Sequence, residues 1–266
     1  MMISIGIGGW TFAPWKGRFY PEGLPAKREL EFASRALTSI EINGTFYRSQ
    51  GPASFKKWRE ETPDGFVFAV KGHRAVVNQK KLGEAGEAVG WFMKSGVLEL
   101  GDKLGPLNWQ LAPFKRFERE DIGAFLKLLP RQEGGRPLRH VLEVRHQSFA
   151  DAAFVDLCRE EGVAVAYADA EDWPAIPDVT ADFVYARLQR CTEEEPTGYP
   201  AAALDLWAKR AKEWAAGKVP TGLTALGSGA AGDKSGAKDV FIYFISGYKP
   251  HAPAAAMALI ERVGRG

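Results

Sequence analysis

Charged and polar residues recur at the ends of strand-like segments in this sequence. The segment HVLEVRHQSF, residues 140–149, begins as a buried strand and yet contains Glu143, Arg145 and His146. The segment SIEING contains Glu41 in the same way. Two carboxylates in different surroundings can serve as acid and base, and arginine and lysine recognise phosphate or carboxylate groups. These residue types therefore favour acid–base chemistry on an anionic substrate.

The alternation of side chains along a strand predicts where these residues point. In HVLEVRH, Leu142 and Val144 share one face and leave Glu143 and Arg145 on the other. The bulky aliphatic face is expected to pack on helices, and the other face is expected to point inward. Applied to each segment, this alternation predicts a ring of inward polar side chains: Glu41, Asn43, Lys71, Gln110, Glu143, Arg145, Asp169 and Arg187.

Strand-like segments alternate with helical patterns at a spacing of about 33 residues. The segments begin at Ile3, Ser39, Gly65, Gly105, His140, Val163, Asp182 and Asp239. This alternation predicts βα units and a parallel sheet, and eight such units close a (β/α)₈ TIM-type barrel. We therefore expect residues 1–266 to form a single barrel domain. An open doubly wound sheet is the alternative, although no GxGxxG motif follows the first segment.

In a barrel of this kind, the side chains at the carboxyl ends of the strands form the site. We assign Glu41, Glu143 and Asp169 as the acid–base candidates. The residues expected to bind substrate are Trp10, Asn43, Tyr47, Lys71, Gln110, Arg145, His146 and Arg187. The alternative is a neutralising ion-pair network that fills the top of the barrel, since buried charges occur when they are paired. Trp10 and Tyr47 have a further alternative, which is to anchor the loops at the mouth.

Several classes of chemistry lack their motifs. The sequence has only four histidines and contains neither HExxH nor GxSxG, so a serine hydrolase or a multi-metal site has little support. Its two cysteines, Cys158 and Cys191, lack zinc-binding spacing. No motif for an organic cofactor is present. A site in which two carboxylates bind a single divalent cation is an alternative that the sequence leaves open.

Charge and hydrophobic pattern limit which binding partners and which cellular location we expect. The net charge of +2 does not demand a nucleic-acid partner. Nucleic-acid binding or processing stays an alternative, based on aromatic and basic residues at the entrance and on analogy with barrel endonucleases. A non-catalytic protein that binds a small anion is the other alternative. The start MMISIGIGGW lacks the features of a signal peptide, and no apolar run is long enough to span a membrane. We therefore expect a cytoplasmic protein.

One segment differs from the rest in composition. Residues 217–238 are rich in glycine, alanine and serine and lie between the seventh helical pattern and the eighth strand-like segment. In a barrel such a connection lies on the face opposite the site. We therefore interpret 217–238 as a flexible loop insertion.

Six blocks of the sequence occur in an order that is similar to one known family. They are GGWTFAPWKGRFYPEGLP, SIEINGTFYR, FVFAVKGHR, LGPLNWQL, LEVRHQSF and ADFVYARL. Together they resemble the domain of unknown function 72 family, the YecE-like proteins, from about residue 3 to residue 263. The resemblance implies a (β/α)₈-type barrel and no established activity.

Positions carried over from the family include every residue of the predicted ring. They are Trp10, Trp15, Tyr20, Glu41, Asn43, Phe46, Tyr47, Lys71, Gln110, Glu143, Arg145, His146, Asp169 and Arg187. The resemblance is incomplete at three positions. Many family members have a histidine where this sequence has Gln189, and asparagines where it has Ser246 and Gly247. These departures favour a subgroup with a different ligand, with Lys249 adding a charge at the mouth.

Overall fold

Parallel strand pairing closes a barrel in the computed structural model, which describes residues 1–227 and 236–264. The strands are β1 (Ile3–Gly8), β2 (Ser39–Ile42), β3 (Val67–Lys71), β4 (Leu104–Gln110), β5 (His140–Glu143), β6 (Ala164–Asp169), β7 (Phe183–Leu188) and β8 (Asp239–Phe244). The last strand pairs with the first, with Ile3 opposite Val240. The predicted TIM-type barrel is confirmed, and each strand overlaps a segment that the sequence predicted.

Helices surround the barrel. They are α1 (Glu29–Ala36), α2 (Gly44–Tyr47), α3 (Pro52–Glu61), α4 (Arg74–Val77), α5 (Gly86–Met93), α6 (Arg119–Leu128), α7 (Ala152–Glu160), α8 (Ala201–Ala215) and α9 (Ala252–Val263). The Asp151 carboxylate caps the start of α7, because it accepts a hydrogen bond from the Ala153 amide at 2.7 Å. In the two described stretches, no helix is long and apolar enough to cross a bilayer.

A short hairpin between α6 and β5 is absent from the predicted elements. Residues Gln132–Glu133 pair with Arg136–Pro137 in the antiparallel sense. Gly134 and Gly135 connect them with φ values of 57° and 76°. Two central residues with positive φ make the tight turn that matches the twist of a hairpin. The two-glycine turn was the available signal for this element.

The crossover from β6 to β7, residues 170–182, has no helix. The segment AEDWPAIPDVTA, with two prolines, predicts a loop with one helical turn, and that helical turn is wrong. Thr180 ties the segment to the start of β6 instead. Its hydroxyl donates to the Val163 carbonyl at 2.7 Å and accepts from the Val165 amide at 3.1 Å. These hydrogen bonds fix the backbone of the segment, and its two prolines already disfavour a helix there.

The predicted insertion is described in part. Residues 217–227 and 236–238 contain neither helix nor strand, and residues 228–235 lie outside the described residues. The first part is attached to the β6–β7 crossover. There, Asp178 accepts hydrogen bonds from the amides of Leu226 and Gly227 at 2.9 and 3.0 Å.

The strands separate two apolar clusters. The larger lies between the barrel and the helices and contains outward side chains such as Leu142 and Val165. The smaller fills the barrel interior and contains Ala69, Val141, Ala164, Ala166, Ala181, Phe183, Tyr185, Phe241 and Tyr243. Alanines on β6 thus face aromatic rings from β7 and β8, which fills the interior as barrel cores require. The polar residues lie beyond this layer, toward the carboxyl ends of the strands.

Candidate functional site at the barrel mouth

Arg187, on β7, binds two carboxylates inside the barrel. Its Nη1 atom donates to both oxygens of Glu143 at 2.7 Å, and Nη2 donates to Oε1 of Glu41 at 2.9 Å. The three side chains are at most 2% exposed. Side chains from β2, β5 and β7 therefore meet in one buried ion-pair network, which we call the mouth cluster together with Lys71 and Arg145.

Two uncharged side chains complete the hydrogen bonding of the carboxylates. The Nδ2 atom of Asn108 donates to Glu143 at 3.0 Å and lies 3.4 Å from Glu41. The Tyr185 hydroxyl donates to Oε2 of Glu41. The alternation put Asn108 and Tyr185 on inward faces, but neither was assigned to the site. Their inward position was the signal that could have identified them.

The charges in this network stabilise one another. Burial alone would raise the pKa of Glu143, but Arg187, Arg145 and Lys71 outweigh it and lower that pKa to about 2. Burial alone would lower the pKa of Arg187, but the carboxylates of Glu143 and Glu41 raise it. Glu143 and Arg187 are therefore both ions at neutral pH.

Arg145 lies at the solvent side of Glu143. Its Nε and Nη2 atoms donate to Oε1 of Glu143 at 3.2 and 3.0 Å. Its guanidinium lies 5.0 Å from the centroid of the Trp173 ring, and its side chain is 20% exposed. Arg145 therefore keeps an accessible edge. Trp173 was missed, because the irregular β6–β7 crossover has no periodicity that places its side chains.

Lys71 ends β3 and points into the mouth. It is 6% exposed, and its ammonium lies 4.3 Å from the centroid of the Phe46 ring. In the described part of the chain, that ammonium takes part in no ion pair. Burial lowers the pKa of Lys71, and the Arg187 charge adds to this effect. Glu41 and Glu143 oppose it in part, and the resulting pKa is about 8.

Three amide oxygens at the mouth are buried without a hydrogen-bond partner among the described residues. They are Oδ1 of Asn43, Oδ1 of Asn108 and Oε1 of Gln110. Asn108 lies directly opposite Lys71 in the β3–β4 pairing. Buried acceptors are usually satisfied, because an unmade hydrogen bond costs about 1–3 kcal/mol. These oxygens therefore mark a place where a ligand could donate hydrogen bonds.

Asp169 is not part of the mouth cluster. Its Oδ2 atom accepts from the Tyr199 hydroxyl at 2.9 Å, and that hydroxyl accepts from the Arg190 amide at 2.8 Å. Burial raises the pKa of Asp169, although the Tyr199 hydrogen bond opposes this. The inward face of β6 instead carries Ala164 and Ala166. The predicted inward position of Asp169 is therefore wrong, because the small side chains of β6 face the crowded interior.

His146 is bound within its own loop. Its Nδ1 atom accepts from the Ser148 amide at 3.1 Å and lies 2.9 Å from the Ser148 hydroxyl. This arrangement begins the 3₁₀ turn Gln147–Phe149. The contacts of His146 are therefore those of a local cap, and none joins it to Glu41, Glu143 or Arg187.

The aromatic residues predicted at the entrance occupy different environments. Trp10 packs edge-on against Trp58 at 5.1 Å between ring centroids. It also lines a cavity of about 300 Å³ together with Asn43 and Lys249. Tyr47 is 65% exposed. The structure thus places Trp10 in a cavity wall and Tyr47 on the surface of the mouth.

The positions that depart from the family pattern lie near a second cavity. The Ser246 hydroxyl is 3.3 Å from Oε1 of Gln189, and both residues line a cavity of about 440 Å³. Gly247 has φ 73°, and a Cβ there would meet the Cys191 carbonyl at 2.4 Å. Glycine is therefore required at this position by the bridge between Cys191 and Gly247.

The geometry of the mouth cluster does not favour a binding site for a divalent cation. Arg187 already lies between the two carboxylates that the cation would use. Across residues 1–227 and 236–264, no group of three or more histidine, cysteine, aspartate or glutamate side chains is placed to hold a metal ion. The geometry instead presents cations, which suit an anionic ligand.

The fold and the cluster define a (β/α)₈ barrel with a charged mouth. The chain belongs to the family described as "Protein of unknown function DUF72", whose model matches residues 4–266. The family that the six sequence blocks indicated is thereby confirmed.

Two curated relatives match part of the chain, and both have UPF0759 names. "UPF0759 protein YunF" of Bacillus subtilis strain 168 is 26% identical over 160 residues, which cover 58% of this chain and 55% of that protein. "UPF0759 protein YecE" of Escherichia coli strain K12 is 29% identical over 149 residues, covering 56% of this chain and 50% of that protein. The matched part thus spans about half the length of each curated relative.

Solved structures of the family share the fold. A DUF72 family protein of Thermotoga maritima superposes with a TM-score of 0.72 at 21% identity, over 98% of both chains. A DUF72 family protein of Enterococcus faecalis V583 gives 0.70 at 13% identity, over 98% of this chain and 95% of the other. At these identities the likeness establishes the fold alone.

Proposed function

We propose that the protein is an enzyme that acts on a small phosphorylated or carboxylated substrate at the barrel mouth. The observation that carries this proposal is a surplus of positive charge. The mouth cluster contains three cationic side chains and two carboxylates, and both carboxylates are already engaged by arginine. Within the mouth cluster, Lys71 is the cation whose ammonium forms no ion pair with any described residue.

The surplus charge favours an anionic ligand for an energetic reason. An ion that is buried without a counterion costs several kcal/mol, even after the protein relaxes around it. A phosphate or carboxylate placed between Lys71 and the exposed edge of Arg145 would supply that counterion and accept charge-assisted hydrogen bonds. Arg187 is the least accessible of the three cations, because the carboxylates of Glu41 and Glu143 occupy its nitrogens.

The acid–base role belongs best to Lys71. Proton transfer is most efficient when the pKa of the catalytic group lies near the working pH. The pKa of Lys71 is about 8, whereas that of Glu143 is about 2. In this proposal Glu143 and Glu41 hold the arginines in position, which replaces the acid and base roles that the sequence alone assigned to them.

Anion binding provides the first test. Purified protein is heated with inorganic phosphate, pyrophosphate or acetate, and the shift in melting temperature is compared among variants. We expect phosphate or pyrophosphate to raise the melting temperature of the wild type, and Arg145→Met and Lys71→Met to reduce that shift. Lys57→Met is the matched control, since Lys57 is 63% exposed on α3. Equal shifts in every variant would remove the mouth cluster as the binding site.

Turnover is tested separately with a panel of sugar phosphates, phosphoesters and 2-oxo acids. Product formation that is lost in Lys71→Met and retained in Lys57→Met supports an enzyme. Tight binding of an anion without turnover on any panel member would favour the non-catalytic anion-binding alternative.

Nucleic-acid binding is the second candidate. It is favoured by exposed aromatic side chains on mouth loops, since Tyr47 is 65% and Phe114 is 74% exposed and Lys115 and Arg116 follow Phe114. Bases stack on such side chains, and basic residues contact phosphates. Binding of single-stranded DNA that weakens steeply with salt supports this candidate, and absence of binding at low salt rejects it.

A further inference from the structure

Lys71 occupies a confined position. It is the last residue of β3, its side chain is 6% exposed, and the Phe46 ring covers one side of the ammonium. The Phe46 ring comes from α2, which directly follows β2. The amine is thereby held at the mouth between α2 and the barrel wall.

Burial favours the neutral amine of Lys71, and the Arg187 charge adds to this effect. Arg187 and Arg145 occupy the carboxylates of Glu41 and Glu143, so the amine has neighbouring cations without an ion pair of its own in the described residues. Desolvation next to another cation is a known route to a nucleophilic lysine. With a pKa of about 8, roughly a quarter of the amine is neutral at pH 7.5. The corresponding fraction for an ordinary lysine is about one in a thousand.

Hydrogen-bond acceptors lie on the strand that pairs with the end of β3. Asn108 is opposite Lys71 in the strand pairing, and Gln110 lies one inward position nearer the mouth. The side-chain oxygens of both residues are buried and without a partner among the described residues. The Nδ2 atom of Asn108 donates to Glu143, which fixes the side chain with its oxygen free. These oxygens can accept hydrogen bonds from a hydroxyl group that forms next to the amine.

We infer that Lys71 is a nucleophile that forms a Schiff base with the aldehyde or ketone group of an anionic substrate. This inference rests on the proposed function and specifies its substrate class. A 2-oxo acid or a phosphorylated aldose or ketose has both required parts. Its anionic group binds the exposed edge of Arg145, and its carbonyl carbon reaches the amine of Lys71.

The reaction is a condensation with a complete balance. The lone pair of the neutral Lys71 amine forms a bond to the carbonyl carbon, and the first amine proton moves to the carbonyl oxygen, which becomes a hydroxyl group. Asn108 and Gln110 accept hydrogen bonds from this carbinolamine hydroxyl. The carbon–oxygen bond then breaks, the oxygen leaves as water with the second amine proton, and a carbon–nitrogen double bond is left. No oxidant or reductant is consumed.

Reductive trapping tests the inference on the full chain. The protein is incubated with pyruvate, glyoxylate or glyceraldehyde 3-phosphate and sodium cyanoborohydride, which reduces an imine to a stable secondary amine. Intact mass and peptide mapping then locate the adduct. We expect Lys71 to be labelled about tenfold or more faster than exposed lysines such as Lys57, with a rate that rises toward pH 8. Peptide mapping of the wild type gives this result even if variants fold poorly.

The controls separate this inference from the proposed function. Lys71→Arg keeps the charge without a nucleophilic amine, and we expect it to abolish trapping while phosphate still raises its melting temperature. Lys57→Met should trap as the wild type does. Labelling that is spread over surface lysines without enrichment at Lys71 overturns the inference. If phosphate stabilisation is lost in Lys71→Met in that case, the proposed anion site survives, and if it is absent altogether, both fail.

Discussion

Arg187 occupies both oxygens of the Glu143 carboxylate through a single nitrogen, Nη1, at 2.7 Å each. The same carboxylate also receives Arg145. A carboxylate in this position is a fixed counterion, and its loss would leave two guanidinium groups short of a partner. The cluster therefore makes Glu143 a structural requirement of the mouth.

Replacing Glu143 with glutamine is expected to lower the free energy of unfolding by about 3–5 kcal/mol, because a buried charge loses its partner. Urea denaturation followed by circular dichroism measures this loss. Glu171→Gln is the matched control, since Glu171 is 78% exposed and pairs with Arg190 at the surface. That change should stay within about 1 kcal/mol. A loss in Glu143→Gln no larger than the control would contradict the assignment.

Acid should remove the contribution of Glu143. The folded state lowers the pKa of this carboxyl from 4.5 to about 2. Its contribution to stability is therefore complete above pH 4.5 and is lost as the pH falls toward 2. We expect the difference in unfolding free energy between the wild type and Glu143→Gln to narrow across this range. Denaturant titrations at several pH values measure it, and a constant difference would be inconsistent with a lowered pKa.

Lys71 should titrate well below other lysines. Reductive methylation with ¹³C-formaldehyde preserves the charge of lysine and makes each amine visible by NMR. We expect one resonance to titrate with a midpoint near pH 8, against an ordinary value of 10.5, because burial and Arg187 disfavour the ammonium. Lys71→Arg should lack that resonance. A Lys71 midpoint at or above 10 would show that the amine is solvated or paired.

Tyr199→Phe separates a structural role of Asp169 from a chemical one. The variant removes the hydroxyl that links the Asp169 carboxylate to the Arg190 amide. We expect a loss of about 0.5–1.5 kcal/mol in the free energy of unfolding, since a partly buried carboxylate and an amide each lose a hydrogen-bond partner. The phosphate-induced melting shift should be unchanged. A reduced shift would connect the Asp169 site to ligand binding at the mouth.

Two glycine substitutions test the close packing of the barrel. A Cβ on Gly6 would lie 1.8 Å from the Ser39 carbonyl oxygen in the neighbouring strand, so Gly6→Ala should prevent normal closure of the barrel. A Cβ on Gly90, in α5, meets nothing within 4 Å. Gly90→Ala should therefore stabilise the protein by up to about 1 kcal/mol. Thermal melts of the two variants compare them, and equal melting temperatures would contradict the predicted contrast.

The inward faces could be predicted wherever the two faces of a strand differ in polarity. In β5 and the two residues after it, Leu142 and Val144 oppose Glu143 and Arg145, and the structure places them as the sequence predicts. In β6 both faces are apolar. There the size of the side chains decides, because the aromatic interior leaves room for Ala166 and excludes Tyr167.

The partners within the mouth cluster could not be predicted from the sequence. Which carboxylate Arg187 reaches depends on the stagger between strands that are far apart in the chain. The contact between Arg145 and Trp173 depends on an irregular crossover whose course is set by tertiary hydrogen bonds. The alternation predicts on which face of the sheet a side chain lies. The partner of that side chain is determined only when the barrel closes.

The pairing of β1 with β8 also constrains how the protein folds. Ile3 meets Val240, so the contact that closes the barrel joins residues from opposite ends of the chain. Until β8 has left the ribosome, β1 and β7 each present an unpaired edge to which other chains can bind. Such distant contacts slow folding. The interval before closure is therefore the stage at which this protein would be most exposed to aggregation and most dependent on chaperones.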